Sequence, residues 1–158
     1  RSACVTGVQT CALPISKAYG PLARLRDGLA HNDAEAVPAE VKSLLGLGIG
    51  LTPSADDVLC GMTYTLLHGA RKLTAADVEF VNAVRRYAPE RTNLISAAIL
   101  KAVTDGGRFE MMDNVLRGLT GAGEDGTQRL LTIGSSSGSE MLLGITIAAK
   151  LIHGRGQL

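Results

Sequence analysis

The sequence has few aromatic residues and no long hydrophobic run. Its 158 residues include no tryptophan, three tyrosines and two phenylalanines. A core must therefore be built mainly from aliphatic side chains, and small aliphatic residues at helical spacing favour close helix packing. The longest apolar run, from Met141 to Ile152, is too short to cross a bilayer. The sequence thus predicts a soluble protein without a membrane partner.

Neither sign of charge is in excess, and cysteine is scarce. Lysine and arginine total 16 against 15 aspartates and glutamates, a formal net charge of +1. This balance does not suit electrostatic binding of nucleic acid or of an anionic membrane. The three cysteines form neither a disulfide framework nor a paired metal motif, which is typical of a reducing compartment. We predict a cytoplasmic protein with no metal site, and the residues indicate no particular cofactor.

The first sixteen residues do not resemble protein-coding sequence. The stretch from Val5 to Ile15 back-translates into what resembles a sequencing-library adapter read in frame. A short signal peptide is the alternative interpretation. We expect residues 1–16 to be a non-native, adapter-derived segment. Residues 17–158 are expected to form a single helical domain, the carboxy-terminal part of a longer chain.

Apolar residues recur at helical spacing, and no segment alternates as a strand would. We therefore predict an all-α fold, a compact multi-helix bundle with two Gly/Ser-rich loops at helix N-termini. Pro89 is expected to end one helix, and Leu94 and Ile95 are expected to face inward on the next. In the helix after Pro53, the wheel puts Asp57 on the side away from the apolar stripe.

The most informative stretch is a loop in which glycine occupies positions 46, 48 and 50. Thr52 followed by Pro53 is typical of an N-cap and the first helical residue. Because a helix start attracts anions, we predict an anion site. The anion-binding residues are expected to be Gly48, Gly50, Thr52 and Ser54, and the catalytic residues Asp56 and Asp57. The alternative is a glycine-rich turn before a capped helix, whose acidic first turn stabilises the helix dipole.

A second loop, from Ile133 to Glu140, is rich in glycine and serine. An offset of 83 residues aligns Thr52, Ser54, Asp57 and Gly61 with Ser135, Ser137, Glu140 and Gly144. Two similar loops at the starts of two helices would form a pseudo-symmetric pair around one pocket. The alternative is that the second stretch is only a flexible loop. Further anion-binding residues are predicted in this loop and before another helix: Ser135, Ser136, Ser137, Gly138, Arg91 and Thr92.

Three motifs in order resemble the AllH family. They are G-I-G-L-T-P-S-A-D-D at residues 48–57, R-T-N-L-I-S-A-A at 91–98 and I-G-S-S-S-G-S-E at 133–140. The chain departs from the family pattern at three positions. The family usually has proline at the position of Ile49 and glycine at that of Ala55, and it often has histidine at that of Ser135. The resemblance also implies an amino-terminal region, which is absent from this sequence.

The resemblance implies a subunit of oxamate carbamoyltransferase, acting in anaerobic allantoin breakdown. Carbamoyl would pass between oxalurate or oxamate and phosphate, with FdrA-like and other subunits as partners. Phosphate or an oxamate-like carboxylate would bind at the two loops, Arg91 would act as a charge clamp, and Asp56 and Asp57 would orient the carbamoyl group or carry a proton. A non-catalytic scaffolding subunit and a sensor of small carboxylates or phosphate remain alternatives.

Overall fold

The computed structural model describes residues 6–70, 72–123 and 125–156, with side chains from Lys17 onward. These residues form eight helices and no strand, which confirms the all-α prediction. None of the helices is long and apolar enough to cross a membrane. The helices are α1 (Thr6–Ala30), α2 (Val37–Leu44), α3 (Ser54–Gly69), α4 (Ala75–Arg91), α5 (Leu94–Thr104), α6 (Glu110–Leu119), α7 (Thr127–Leu130) and α8 (Ser137–Gly154).

Helix α3 lies at the centre of the bundle. Every residue from Ala55 to Leu66 is buried, so no face of this stretch meets solvent. The expectation that Asp57 lies on a face away from the core is therefore wrong. Its side of the helix is covered by α8, while α5 packs elsewhere on α3. When neighbouring helices cover a helix on all sides, the spacing of its apolar residues no longer identifies a side that faces solvent.

Helices α3 and α8 cross where each has a glycine. A Cβ added to Gly61 would overlap the carbonyl oxygen of Met141, and one added to Gly144 would overlap that of Val58. The offset of 83 residues that aligns the two loops also relates Gly61 to Gly144 and Val58 to Met141, so the two contacts are equivalent. Reciprocal contacts of this kind are those of a two-fold axis. The crossing is therefore pseudo-symmetric, and it brings the two helix starts together.

The carboxy-terminal end of α8 is held by a buried ion pair. Arg155 donates to Asp77 of α4 at 2.6 Å and to the carbonyl oxygen of Leu29 at 2.7 Å. Asp77 also accepts from the amide of Thr74 and completes a capping box at the start of α4. These contacts tie the carboxy-terminal end of α8 to α1 and α4.

Two local expectations are wrong. Helix α4 continues through Pro89 to Arg91, because a proline in the last turn removes only one intrahelical hydrogen bond. In α5, Leu94 is 85% exposed and Ile95 49% exposed, whereas Ser96 on the same helix is buried. The interior side of α5 is the side that meets α3, and hydropathy alone does not identify it.

Candidate functional site

The glycine loop turns back over the start of α3. Gly46, Gly48 and Gly50 have φ of 80°, 129° and 109°, a region that side-chain-bearing residues rarely adopt. A Cβ on Gly46 would overlap the carbonyl oxygen of Arg91, and one on Gly48 would overlap the amide of Ser54. Glycine is thus required both by the backbone conformation and by the close approach to two other segments.

The start of α3 differs from the sequence prediction. Pro53, rather than Thr52, occupies the N-cap, and no side chain caps the helix. The amide of Ala55 donates instead to the carbonyl oxygen of Leu47 at 2.9 Å. The loop itself therefore satisfies one of the orphan amides of the helix start. This leaves the hydroxyl of Thr52 available for another partner.

Asp56 joins the glycine loop to the start of α5. It is 1% exposed, and its Oδ1 accepts from the amide of Gly46 at 2.8 Å while its Oδ2 accepts from the hydroxyl of Thr92. Burial raises the pKa of Asp56, although the Gly46 amide and the nearby Thr92 and Ser96 hydroxyls act in the opposite direction. With both oxygens bonded to protein, this carboxylate holds the loop in position.

Asp57 joins the two loops. It is 2% exposed, and its Oδ2 accepts from the hydroxyl of Thr52 at 2.8 Å. The Thr52 oxygen lies 2.9 Å from Ser137 Oγ at the start of α8. Because Thr52 uses its one proton on Asp57, Ser137 is the donor in this second bond. The three side chains form a short hydrogen-bonded chain across the α3–α8 interface, hereafter the hydroxyl–carboxylate cluster.

The environment of Asp57 makes its carboxyl group easier to protonate than that of an exposed aspartate. Burial raises its pKa to about 6, the Thr52 and Ser137 hydroxyls partly counteract this, and the negative charges of Glu140 and Asp56 add to the rise. A carboxyl that titrates close to neutrality can both give and accept a proton under ordinary conditions. Asp57 is therefore suited to acid–base work, whereas the bonding of Asp56 suits a positioning role.

Four other predicted site residues make no side-chain hydrogen bond to this cluster within the described residues. Ser135 and Ser136 are exposed on the second loop, and Gly138 packs its backbone against the Leu130 carbonyl. The Arg91 side chain is exposed and makes no ion pair within the described residues. Its carbonyl touches Gly46, which puts its backbone beside the loop.

Two residues near the cluster were absent from the predicted site. Asn93 caps α5 and donates from Nδ2 to the carbonyl oxygen of Leu51 at 2.9 Å, so it anchors the outer part of the loop. Glu140 is close enough to Asp57 to influence its pKa. Glu140 could have been predicted from the sequence, because the 83-residue offset aligns it with Asp57. Across the described ranges, no group of three or more His, Cys, Asp or Glu side chains is arranged to hold a metal ion.

The raised pKa of Asp57 predicts a pH dependence of stability. A carboxyl with a higher pKa when folded contributes stability below its unfolded value of 3.8, and this contribution is lost as pH rises through about 6. Asp57→Asn should therefore gain on the order of 2 kcal/mol relative to the unmodified chain between pH 4.5 and 7.5. Urea unfolding of both proteins across this range measures the difference. Parallel stability profiles would contradict the prediction.

The comparison with known families agrees with the three motifs. Residues 44–149 match the model of the AllH family, described as oxamate carbamoyltransferase subunit AllH. This range contains both loops, Arg91 and the hydroxyl–carboxylate cluster. No solved structure matches the chain. Since the match covers well over half of the sequence, the chain belongs to the AllH family of oxamate carbamoyltransferase subunits.

Proposed function

We propose that this chain contributes the proton-transferring group of a carbamoyl-transfer site. The observation that carries the proposal is Asp57, a buried carboxyl whose pKa is raised to about 6 and which accepts from the Thr52 hydroxyl, itself bonded to Ser137 at the start of α8. The substrates proposed are oxalurate and phosphate in one direction, and oxamate and carbamoyl phosphate in the other. In this proposal the reaction belongs to allantoin breakdown in the cytoplasm.

The chemistry requires one proton to change places. A phosphate oxygen attacks the carbamoyl carbon of oxalurate and forms the new C–O bond, while the C–N bond to oxamate breaks. Hydrogen phosphate loses a proton, and the departing oxamate nitrogen gains one. Asp57 can accept the first and supply the second, so it ends the cycle in its starting state. The hydroxyls of Thr52 and Ser137 fix the orientation of its carboxyl group.

The glycine loop is proposed to bind the anionic groups. The backbone amides of Ile49, Gly50 and Leu51 have no hydrogen-bond partner within the described residues. Glycines with positive φ allow successive amides to point to one side, as anion-binding loops require. Asp56 holds this loop through Gly46 and Thr92. Arg91 would then act as a charge clamp on phosphate or the oxamate carboxylate.

The partners proposed are an FdrA-like protein and the other carbamoyltransferase subunits. A scaffolding role without catalysis is the second candidate, and it is favoured by the use of Gly61, Gly144 and Gly138 in backbone packing. In that case the loops would stabilise the bundle for subunit docking. The two candidates differ in whether this chain touches the substrates.

The test is a transfer assay on the complete subunit assembled with its partners. We expect carbamoyl phosphate to form from oxalurate only when phosphate is present, and oxamate to bind this subunit in calorimetry. A complex that assembles while this subunit binds neither oxamate nor phosphate would support the scaffolding role.

A further inference from the structure

Glu140 lies on the side of α8 that faces α3. One turn before it, Ser137 is bonded to the hydroxyl of Thr52 at 2.9 Å. One turn after it, a Cβ on Gly144 would overlap the carbonyl oxygen of Val58. Residues three and four positions apart occupy the same side of a helix, so Glu140 lies between two residues that contact α3 and its loop.

Asp57 occupies the equivalent position on α3. The 83-residue offset that relates Gly61 to Gly144 also relates Asp57 to Glu140. Each acid lies one turn before the crossing on its own helix, and the two helix starts are joined by the Thr52–Ser137 bond. The two carboxyl groups are therefore related by the pseudo-two-fold axis and lie on the facing sides of α3 and α8.

One carboxylate oxygen of Glu140 lacks a hydrogen-bond donor. Its Oε2 is buried and has no hydrogen-bond partner among the described residues. Native structures rarely leave a buried carboxylate oxygen in that state, because its desolvation is not compensated. Since this oxygen has no accessible surface to speak of, neither solvent nor a ligand can reach it. The missing hydrogen must come from a group inside the α3–α8 interface.

The titratable groups around the two acids leave Asp57 as that donor. The neighbours are Asp56 and Cys60 on α3 and Tyr19 on α1. Both oxygens of Asp56 are bonded elsewhere, a cysteine thiol is a weak donor, and the Tyr19 side chain is 77% exposed. Within the described residues, no lysine, arginine or histidine forms an ion pair with Asp57 or Glu140.

We propose that protonated Asp57 donates from Oδ1 to Glu140 Oε2, so that the two carboxyl groups hold one proton between them. Asp57 accepts from Thr52 through Oδ2, which leaves Oδ1 to carry the proton. Two carboxyl groups that share a site ionise in two separate steps, because ionising both brings like charges together. Glu140 is then a positioning residue that orients the proton of Asp57. Its effect on catalysis rests on the proposed function.

A carbon-13 titration of the full chain tests the carboxyl pair without turnover. The side-chain carboxyl resonances of Asp57 and Glu140 are followed by NMR between about pH 3.5 and 8. Each resonance should report both ionisation steps, because the shared proton belongs to the pair and not to one residue. Two resonances that each titrate in a single, independent step would overturn the proposal.

Three substitutions separate a shared proton from a simple effect of charge. Glu140→Gln removes the charge and should lower the titration midpoint of Asp57 by at least about half a pH unit. Glu140→Asp keeps the charge but draws the oxygen back by one methylene group, so it should lower the midpoint as well. Glu110→Gln, at a side chain on α6 that is 78% exposed, should leave the midpoint unchanged.

Two results with these variants would contradict the shared proton. An unchanged midpoint in Glu140→Asp would show that only the charge of Glu140 acts on Asp57. Equal midpoints in Glu140→Gln and Glu110→Gln would show that Glu140 has no particular connection with Asp57. The spectrum of each variant confirms that it is folded.

The assembled enzyme shows separately whether the pair serves catalysis. In Glu140→Gln, the pH profile of kcat should move to lower pH by as much as the Asp57 midpoint does, while KM for phosphate stays unchanged. A midpoint that moves without the pH profile would leave the carboxyl pair in place and contradict the role of Asp57 in carbamoyl transfer. A midpoint that does not move would overturn the carboxyl pair itself.

Discussion

Replacing Asp57 by asparagine is expected to lower kcat of the assembled carbamoyltransferase by at least about 100-fold, with little change in KM. A positioned acid–base group contributes typically about 10² to 10⁴ in rate. Asparagine preserves the size of the side chain and can still bond to Thr52, so the α3–α8 interface should remain intact. It cannot exchange the proton that the departing nitrogen needs. Steady-state kinetics in the transfer direction, with phosphate varied, measure the effect.

The control for this substitution is Asp27→Asn on α1. It removes an exposed carboxylate that pairs with Arg26, and both kinetic constants should stay unchanged. An Asp57→Asn enzyme with unaltered kcat would exclude this residue as the proton carrier. Raised KM with unaltered kcat would instead assign Asp57 to substrate binding.

Replacing Gly61 by alanine is expected to destabilise the fold by at least about 3 kcal/mol, or to prevent folding. The added methyl group would overlap the backbone carbonyl oxygen of Met141, which cannot move aside as a side-chain end can. Helices α3 and α8 would have to separate along their most extensive contact. Urea denaturation measures the loss in the free energy of unfolding. Separation of the two helices should also break the hydrogen bond between Thr52 and Ser137.

Gly69→Ala on the same helix is the matched control. Its Cβ would meet side-chain atoms of Ile152 and Thr65 at 3.7 Å, an ordinary packing distance. Alanine restricts the unfolded chain, so this variant should be unchanged or more stable by about 0.4–1 kcal/mol. Similar midpoints for the two variants would show that α3 and α8 have room at the crossing, contrary to the structure.

Much of the fold could be predicted from residue spacing. Apolar residues at helical spacing indicated helices, and the glycines at 46, 48 and 50 before Pro53 marked the loop that leads into α3. The helical wheel also set Asp57 apart from the apolar stripe, on the side of α3 that α8 covers. These features depend on residue types and spacing within one segment, which can be read from a single sequence.

What the sequence could not supply were the contacts between distant segments. Thr52 has the chemistry of an N-cap, but Ser137 on α8 and Asp57 together provide its hydrogen bonds. The wheel put Asp57 on the side of α3 away from the apolar stripe, and α8 buries that side as well. Leu94 and Ile95 are apolar yet exposed, because the side of α5 that meets α3 is set by the whole bundle. Each difference depends on a neighbour that spacing does not identify.

The α3–α8 crossing also has a consequence for the order of folding. The strongest packing in the described chain joins helices whose starts are 83 residues apart, so a long loop must close before this contact forms. Loop closure of this length carries an entropic cost that precedes any stabilising contact, and such distant pairings slow folding. Asp57 and the hydroxyls of Thr52 and Ser137 come from both sides of that closure. Their arrangement therefore arises only with the complete bundle, so partly folded chains are expected to be inactive even where α3 is already helical.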